Sequence, residues 1–143
     1  MAGEIVVAYD GQAGSAAALR TAVAIAAAFK RPLVIVFGYR PAPIGGEVTE
    51  LAKAVREIGD RFTAEAVETA RAIDPSVSTV VELVDDRPAD AILRAADEHD
   101  ALAVVIGAAN VGPIRGTLLG SVTYQVVHRS TRPVVVVPTT EDA

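Results

Sequence analysis

Apolar and polar positions alternate along this chain in long blocks, and the block lengths predict the elements. Residues 4–11, "EIVVAYDG", form a β-branched apolar run stopped by Asp10-Gly11, which reads as a buried strand. In "SAAALRTAVAIAAAFKRP" Leu19, Ala22, Val23, Ala26 and Phe29 recur at helical spacing. Ser15 is placed to cap that helix and Pro32 forbids its continuation. "LVIVFGY" (33–39) is a second continuously apolar strand, and "RPAPIGGE" (40–47) reads as loop. Val48, Leu51, Val55, Ile58, Phe62, Val67, Ala70 and Ile73 mark one face of a long helix over 48–73, ended by Asp74-Pro75.

"VSTVVELV" (77–84) is a third strand, and its Ser78, Thr79 and Glu82 suit an edge that sees water. Residues 85–100 read as a short helix with Pro88 in its first turn, where a missing N–H costs little. "ALAVVIG" (101–107) is the fourth strand; a glycine-containing loop, a helix over about 121–130 and the strand "PVVVVP" (133–138) follow. Uninterrupted apolar strands alternating with amphipathic helices predict an α/β fold, an open five-stranded parallel sheet with helices on both faces. Residues 1–143 read as one domain, without an internal repeat or low-complexity tract.

Composition narrows the chemistry. No apolar run reaches the length that spans a membrane, and "MAGEIVV" carries an acid where a secretory signal needs bases. The chain has no cysteine, which excludes disulfides and thiolate chemistry and fits a reducing cytoplasm. A net charge of −5 without a basic block, and 4% aromatics without tryptophan, argue against a nucleic-acid partner.

In open parallel sheets ligands lie beyond the carboxyl ends of the strands, where the strand order reverses. The residues at those ends are Asp10 and Gly11; Gly38, Tyr39 and Arg40; Asp85 and Asp86; Gly107 through Ser121; and Thr139. An acid in the place of Asp10 can accept hydrogen bonds from a ribose, hold a metal, or start an Asp-Gly turn. Gly107 lets the backbone turn off the fourth strand, and Gly112, Gly116 and Gly120 keep the following loop slim. Ser121 and the N–H groups behind it open a helix, where unpaired donors and the helix dipole favour an anion such as phosphate. Arg115 is the one base in that loop.

Other chemistries have little support. His99 and His128 have no ligand-spaced partner, so no metal site is expected, and His128 suits a helix C-terminus. Ser121 and His128 lie about two helical turns apart, too far for direct proton transfer. Asp85 and Asp86 read as solvated turn and helix-start charges. No G-K-[ST] motif is present, so no machinery for efficient ATP hydrolysis is expected. A phosphoacceptor receiver domain shares the plan, but the first strand ends in a single acid and no lysine follows the fifth.

The spacing Gly107, two residues, Asn110, nine residues, Gly120-Ser121 resembles the nucleotide-binding motif of the universal stress protein family. "IVVAYDG", "RPADAI" and "LLGSVTYQVVHRSTRPVVVVP" are similar to other segments of that family, and the resemblance runs along essentially the whole chain. It implies strand order 3-2-1-4-5, with Asp10 beside Gly107, and binding of ATP or a related adenine nucleotide, with Mg2+ as a companion ion. It places Asp10 at the ribose or adenine, backbone near Gly38 at the base, and Gly107, Asn110, Gly120, Ser121 and Val122 along the ribose and phosphates.

Asn110 stands where the family motif has its second glycine; asparagine tolerates left-handed geometry, but its side chain occupies space. The resemblance also implies a small cytoplasmic regulatory protein of the stress response with a protein partner. The alternative is an interaction module that binds no nucleotide. In the implied order Val134, Val135, Val136 and Val137 form an edge strand, a template for a homodimer.

Overall fold

The computed structural model describes residues 3–39, 48–108 and 119–139. The elements are β1 (Ile5–Ala8), α1 (Ala13–Phe29), β2 (Leu33–Tyr39), α2 (Val48–Ile73), β3 (Thr79–Asp85), α3 (Pro88–Glu98), β4 (Ala103–Gly107), α4 (Ser121–Arg129) and β5 (Val134–Val137). The five strands form one parallel sheet in the order β3-β2-β1-β4-β5. This is the predicted α/β architecture, with β3 and β5 at the edges. Among the described residues no helix is long and apolar enough to cross a membrane.

The strand pleat divides the core in two. Ile5, Val7, Leu33, Ile35 and Val105 point to one face and pack with Leu19, Ala22 and Val23 of α1 and with Ala66 and Ala70 of α2. Val6, Val34, Val36, Val104 and Ile106 point to the other, against Ala91, Ile92 and Ala95 of α3 and Val126 of α4. Each fully buried valine or isoleucine contributes about 1.5–3 kcal/mol, so the three central strands supply the largest share of stability. The alanines of α1 have a packing reason: Ala18, Ala22 and Ala26 recur every fourth residue, are fully buried, and bring the helix close to the sheet.

Three local expectations need correction. Phe29 sits at the last helical position and is 60% exposed, so the apolar stripe of α1 leaves the core before its end. Ser15 is not the N-cap. Gln12 holds that place, and the Ser15 hydroxyl donates to the Gln12 carbonyl at 2.9 Å from inside the first turn. Asp86 is buried rather than solvated: it accepts from the Arg87 N–H at 2.8 Å and pairs with Arg94.

Candidate functional site

β1 pairs with β2 through Ala8↔Val36, and the Tyr9 N–H extends that ladder by donating to the Val36 carbonyl at 3.0 Å. Its pairing with β4 stops earlier, at Val7↔Val105. Beyond that point the two central strands part, because β1 feeds α1 on one face while β4 leads to α4 on the other. A crevice of about 400 Å³ opens in the gap, within the range of small-molecule sites.

The crevice gathers the ends of three strands and the starts of three helices. Its walls include Tyr9 and Asp10 after β1, Gly38 of β2, Gly107 of β4, Gln12 to Ser15 at the start of α1, Pro88 and Ile92 of α3, and Gly120 to Thr123 at the start of α4. Asp10, Gly38, Gly107, Gly120, Ser121 and Val122 therefore line one cavity. Tyr39, Asp85, Asp86 and Thr139, also at strand ends, do not line it. Asn110, Arg115 and Arg40 lie outside the described residues.

The electrostatics come mainly from the backbone. Neither Gln12 nor Gly120, the N-caps of α1 and α4, places a side-chain oxygen on its helix's first N–H groups. Among the described residues, both helix starts thus have N–H groups without a side-chain cap, and both turn the positive end of a helix dipole to the same space. Among the described lining residues, Asp10 is the only carboxylate and there is no Lys or Arg. The Asp10 Oδ1 accepts from the Gln12 N–H at 2.9 Å, which fixes the exposed carboxylate at the mouth of the crevice. Burial pushes the Tyr9 phenol above its ordinary pKa, and the charges of Glu65 and Asp10 add to that shift, so Tyr9 is a neutral hydrogen-bond donor at neutral pH.

The glycines have steric reasons that sequence alone does not reveal. A Cβ on Gly107 would stand 2.6 Å from the Gly14 carbonyl oxygen, so the missing side chain admits the backbone of α1. A Cβ on Gly38 would stand 2.7 Å from the Ala91 Cβ, so that position admits α3. Gly11 has φ +83°, where other residues are strained, and makes the turn from β1 into α1.

Gln12, Gly14 and Thr123 were not singled out by the sequence. The first two could have been found as the start of the helix that follows the first strand. Thr123 gives no local signal: its hydroxyl donates at 2.7 Å to the carbonyl of Gly107, 16 residues earlier. His99 lies outside this site. It hydrogen-bonds Glu82 at 2.7 Å, with Glu4 at 3.7 Å from its other ring nitrogen. Among the described residues no group of three His, Cys, Asp or Glu side chains is arranged to hold a metal.

The sequence profile of the universal stress protein family matches residues 1–138. A Thermus aquaticus protein, "Universal stress protein in QAH/OAS sulfhydrylase 3'region", is 33% identical over 136 residues, covering 93% of this chain and 96% of its own length. A solved universal stress protein in complex with cAMP is 29% identical, covers 97% of this chain and 99% of its own, and superposes with a TM-score of 0.77. The Archaeoglobus fulgidus universal stress protein in complex with dAMP is 26% identical, covers 94% and 97% of the two chains, and superposes with a TM-score of 0.68. On the extent of the profile match and the identity to the Thermus relative, the chain belongs to the universal stress protein family.

Proposed function

We propose that this chain binds an adenine nucleotide in the crevice between β1 and β4 and acts as a small cytoplasmic regulatory protein, with hydrolysis slow or absent. The observation that carries this reading is the convergence of the uncapped starts of α1 and α4 with the Asp10 carboxylate on one cavity of about 400 Å³. Helix N-termini suit phosphate oxygens, and a carboxylate suits ribose hydroxyls, so the two chemistries of a nucleotide have separate partners in one space. The cAMP and dAMP complexes of similar fold support the adenine assignment.

Asp10 takes the ribose end, Gly38 lies along the base, and Gly107, Gly120, Ser121 and Val122 follow the ribose and phosphates. Any Mg2+ enters on a nucleotide's own phosphates. Sequence supports the absence of fast hydrolysis, since no G-K-[ST] lysine is present. A homodimer through β5, whose outer edge carries no further strand among the described residues, is part of the same proposal. Nucleotide occupancy would then alter how the protein engages a regulatory partner.

Thermal unfolding with and without millimolar AMP, cAMP or ATP with Mg2+ tests the reading. At least one nucleotide raises Tm in the wild type, by mass action, and Asp10→Asn, which keeps an acceptor for the Gln12 N–H, reduces that rise. No shift with any of the three contradicts it.

A further inference from the structure

The peptide between Gly107 and Ala108 lies where the sheet splits. Its N–H, on Ala108, donates to the Val137 carbonyl of β5 at 2.9 Å. In a planar trans peptide the C=O points the opposite way, so the Gly107 carbonyl faces the β1 side. Pairing between β4 and β1 has already ended at Val105, so no strand donor meets that carbonyl. A carbonyl half-buried at a strand end needs a partner, and Thr123 supplies one. Thr123 is 2% exposed, and its hydroxyl donates to the Gly107 oxygen at 2.7 Å. A threonine in the first turn of a helix commonly bonds within its own turn; this one reaches across to the end of β4.

A second bond acts beside it. The Gly120 N–H donates to the Ala108 carbonyl at 3.2 Å. These two bonds hold residues 107–108 to residues 120–123. The same Gly107 is the residue against which the backbone of Gly14 rests. One residue therefore sets the separation of the two helix starts that face the crevice.

From this we infer that Thr123 is a positioning residue for anion binding: through Gly107 it holds the N-terminus of α4 at the distance from α1 that a nucleotide phosphate requires. The role rests on the nucleotide reading above, and it concerns the phosphate rather than the base or sugar. It touches no reacting atom and needs no contact between Thr123 and ligand.

The test compares AMP with adenosine, which lacks the phosphate, by calorimetric titration of the wild type, Thr123→Val and Thr123→Ser. Thr123→Val keeps the shape and removes the donor. It weakens AMP binding about tenfold and leaves adenosine binding within about twofold of wild type. Thr123→Ser, which restores the hydroxyl, regains most of the AMP affinity. Equal losses for AMP and adenosine, or no loss for either, overturn the positioning role while leaving the nucleotide reading intact. A wild type that binds neither compound overturns both.

Should Thr123→Val fold poorly, Thr123→Ala makes the same comparison without the added branch. Amide exchange gives a ligand-free readout. Removing the hydroxyl speeds exchange at Gly120 but not at Val105 in the core of β4; unchanged exchange at Gly120 counts against the proposal.

Discussion

Gly107 and Gly14 meet backbone to backbone, so that a Cβ on Gly107 would lie 2.6 Å from the Gly14 carbonyl oxygen and 2.8 Å from its carbon. Backbone cannot move aside as the tip of a flexible side chain can. Gly107→Ala is therefore expected to shift α1 or the end of β4 and to cost about 1–3 kcal/mol in stability, as overpacking generally does. Urea unfolding of the two proteins measures it. Loss of ligand binding in that variant would report this displacement and not a missing phosphate contact, so Asp10→Asn and Thr123→Val are the cleaner probes.

His99 predicts a pH dependence of stability. Burial lowers its pKa, but the hydrogen bond and charge of Glu82 and the charge of Glu4 outweigh burial, and the net shift is upward from the ordinary 6.5. A group whose folded pKa is raised stabilises most when it is protonated in both states. The contribution is fully present below the unfolded value and is lost as pH rises through the folded value. Urea midpoints of wild type and His99→Gln should therefore differ most at mildly acidic pH and converge as pH rises above 6.5 and past the folded value. A difference that widens over that range contradicts the sign.

Much of this molecule is legible from hydrophobic pattern. The apolar run at 33–39 and the helical spacing over 48–73 coincide in extent with β2 and α2, although Leu51, Ile58 and Ile73 of the predicted apolar face are exposed. The cavity's location follows equally from the strand order. What was illegible depends on where a turn begins and on which groups the fold brings together. Asp86 looks like a solvated turn acid until α3 folds back and brings Arg94 to it. Ser15 looks like a cap because its chemistry permits one, but the turn at Gly11 starts the helix three residues earlier than a cap at Ser15 would allow. Gly38 and Gly107 read as positions near a base and a phosphate, and their packing role, admitting Ala91 and Gly14, gives no local signal.

The end of α1 offers a stabilising change. Lys30 adopts φ 57° and ψ 50°, and the Arg31 N–H bonds back to the Ala26 carbonyl at 2.9 Å, closing the helix with a left-handed residue. Glycine is the residue that meets this geometry without a Cβ penalty. Lys30→Gly is expected to raise stability by about 0.5–1 kcal/mol, read as a higher Tm. A lower Tm would mean that the lysine side chain contributes more than its backbone strain costs.

The edge strand β5 allows a backbone-directed test of dimerisation. The carbonyls of Pro133 and Val137 accept from Val104 and Ala108 of β4, so odd-numbered residues of β5 turn their polar groups inward and Val134 and Val136 turn theirs outward. Val134–Val137 also pack their side chains on the core, which makes an introduced charge there a risk to folding. Val136→Pro removes an outward N–H and no ladder bond. Sedimentation equilibrium is expected to show a dimer for the wild type and a monomer for this variant; a monomeric wild type refutes the interface.

Nucleotide binding itself is tested most directly by isothermal titration of the purified chain, freed of bound small molecules, with AMP, cAMP and ATP with Mg2+. The account predicts saturable binding of at least one of them at one site per chain, weakened about tenfold or more in Asp10→Asn. Absence of binding by all three at millimolar concentration, with the protein folded, would contradict it.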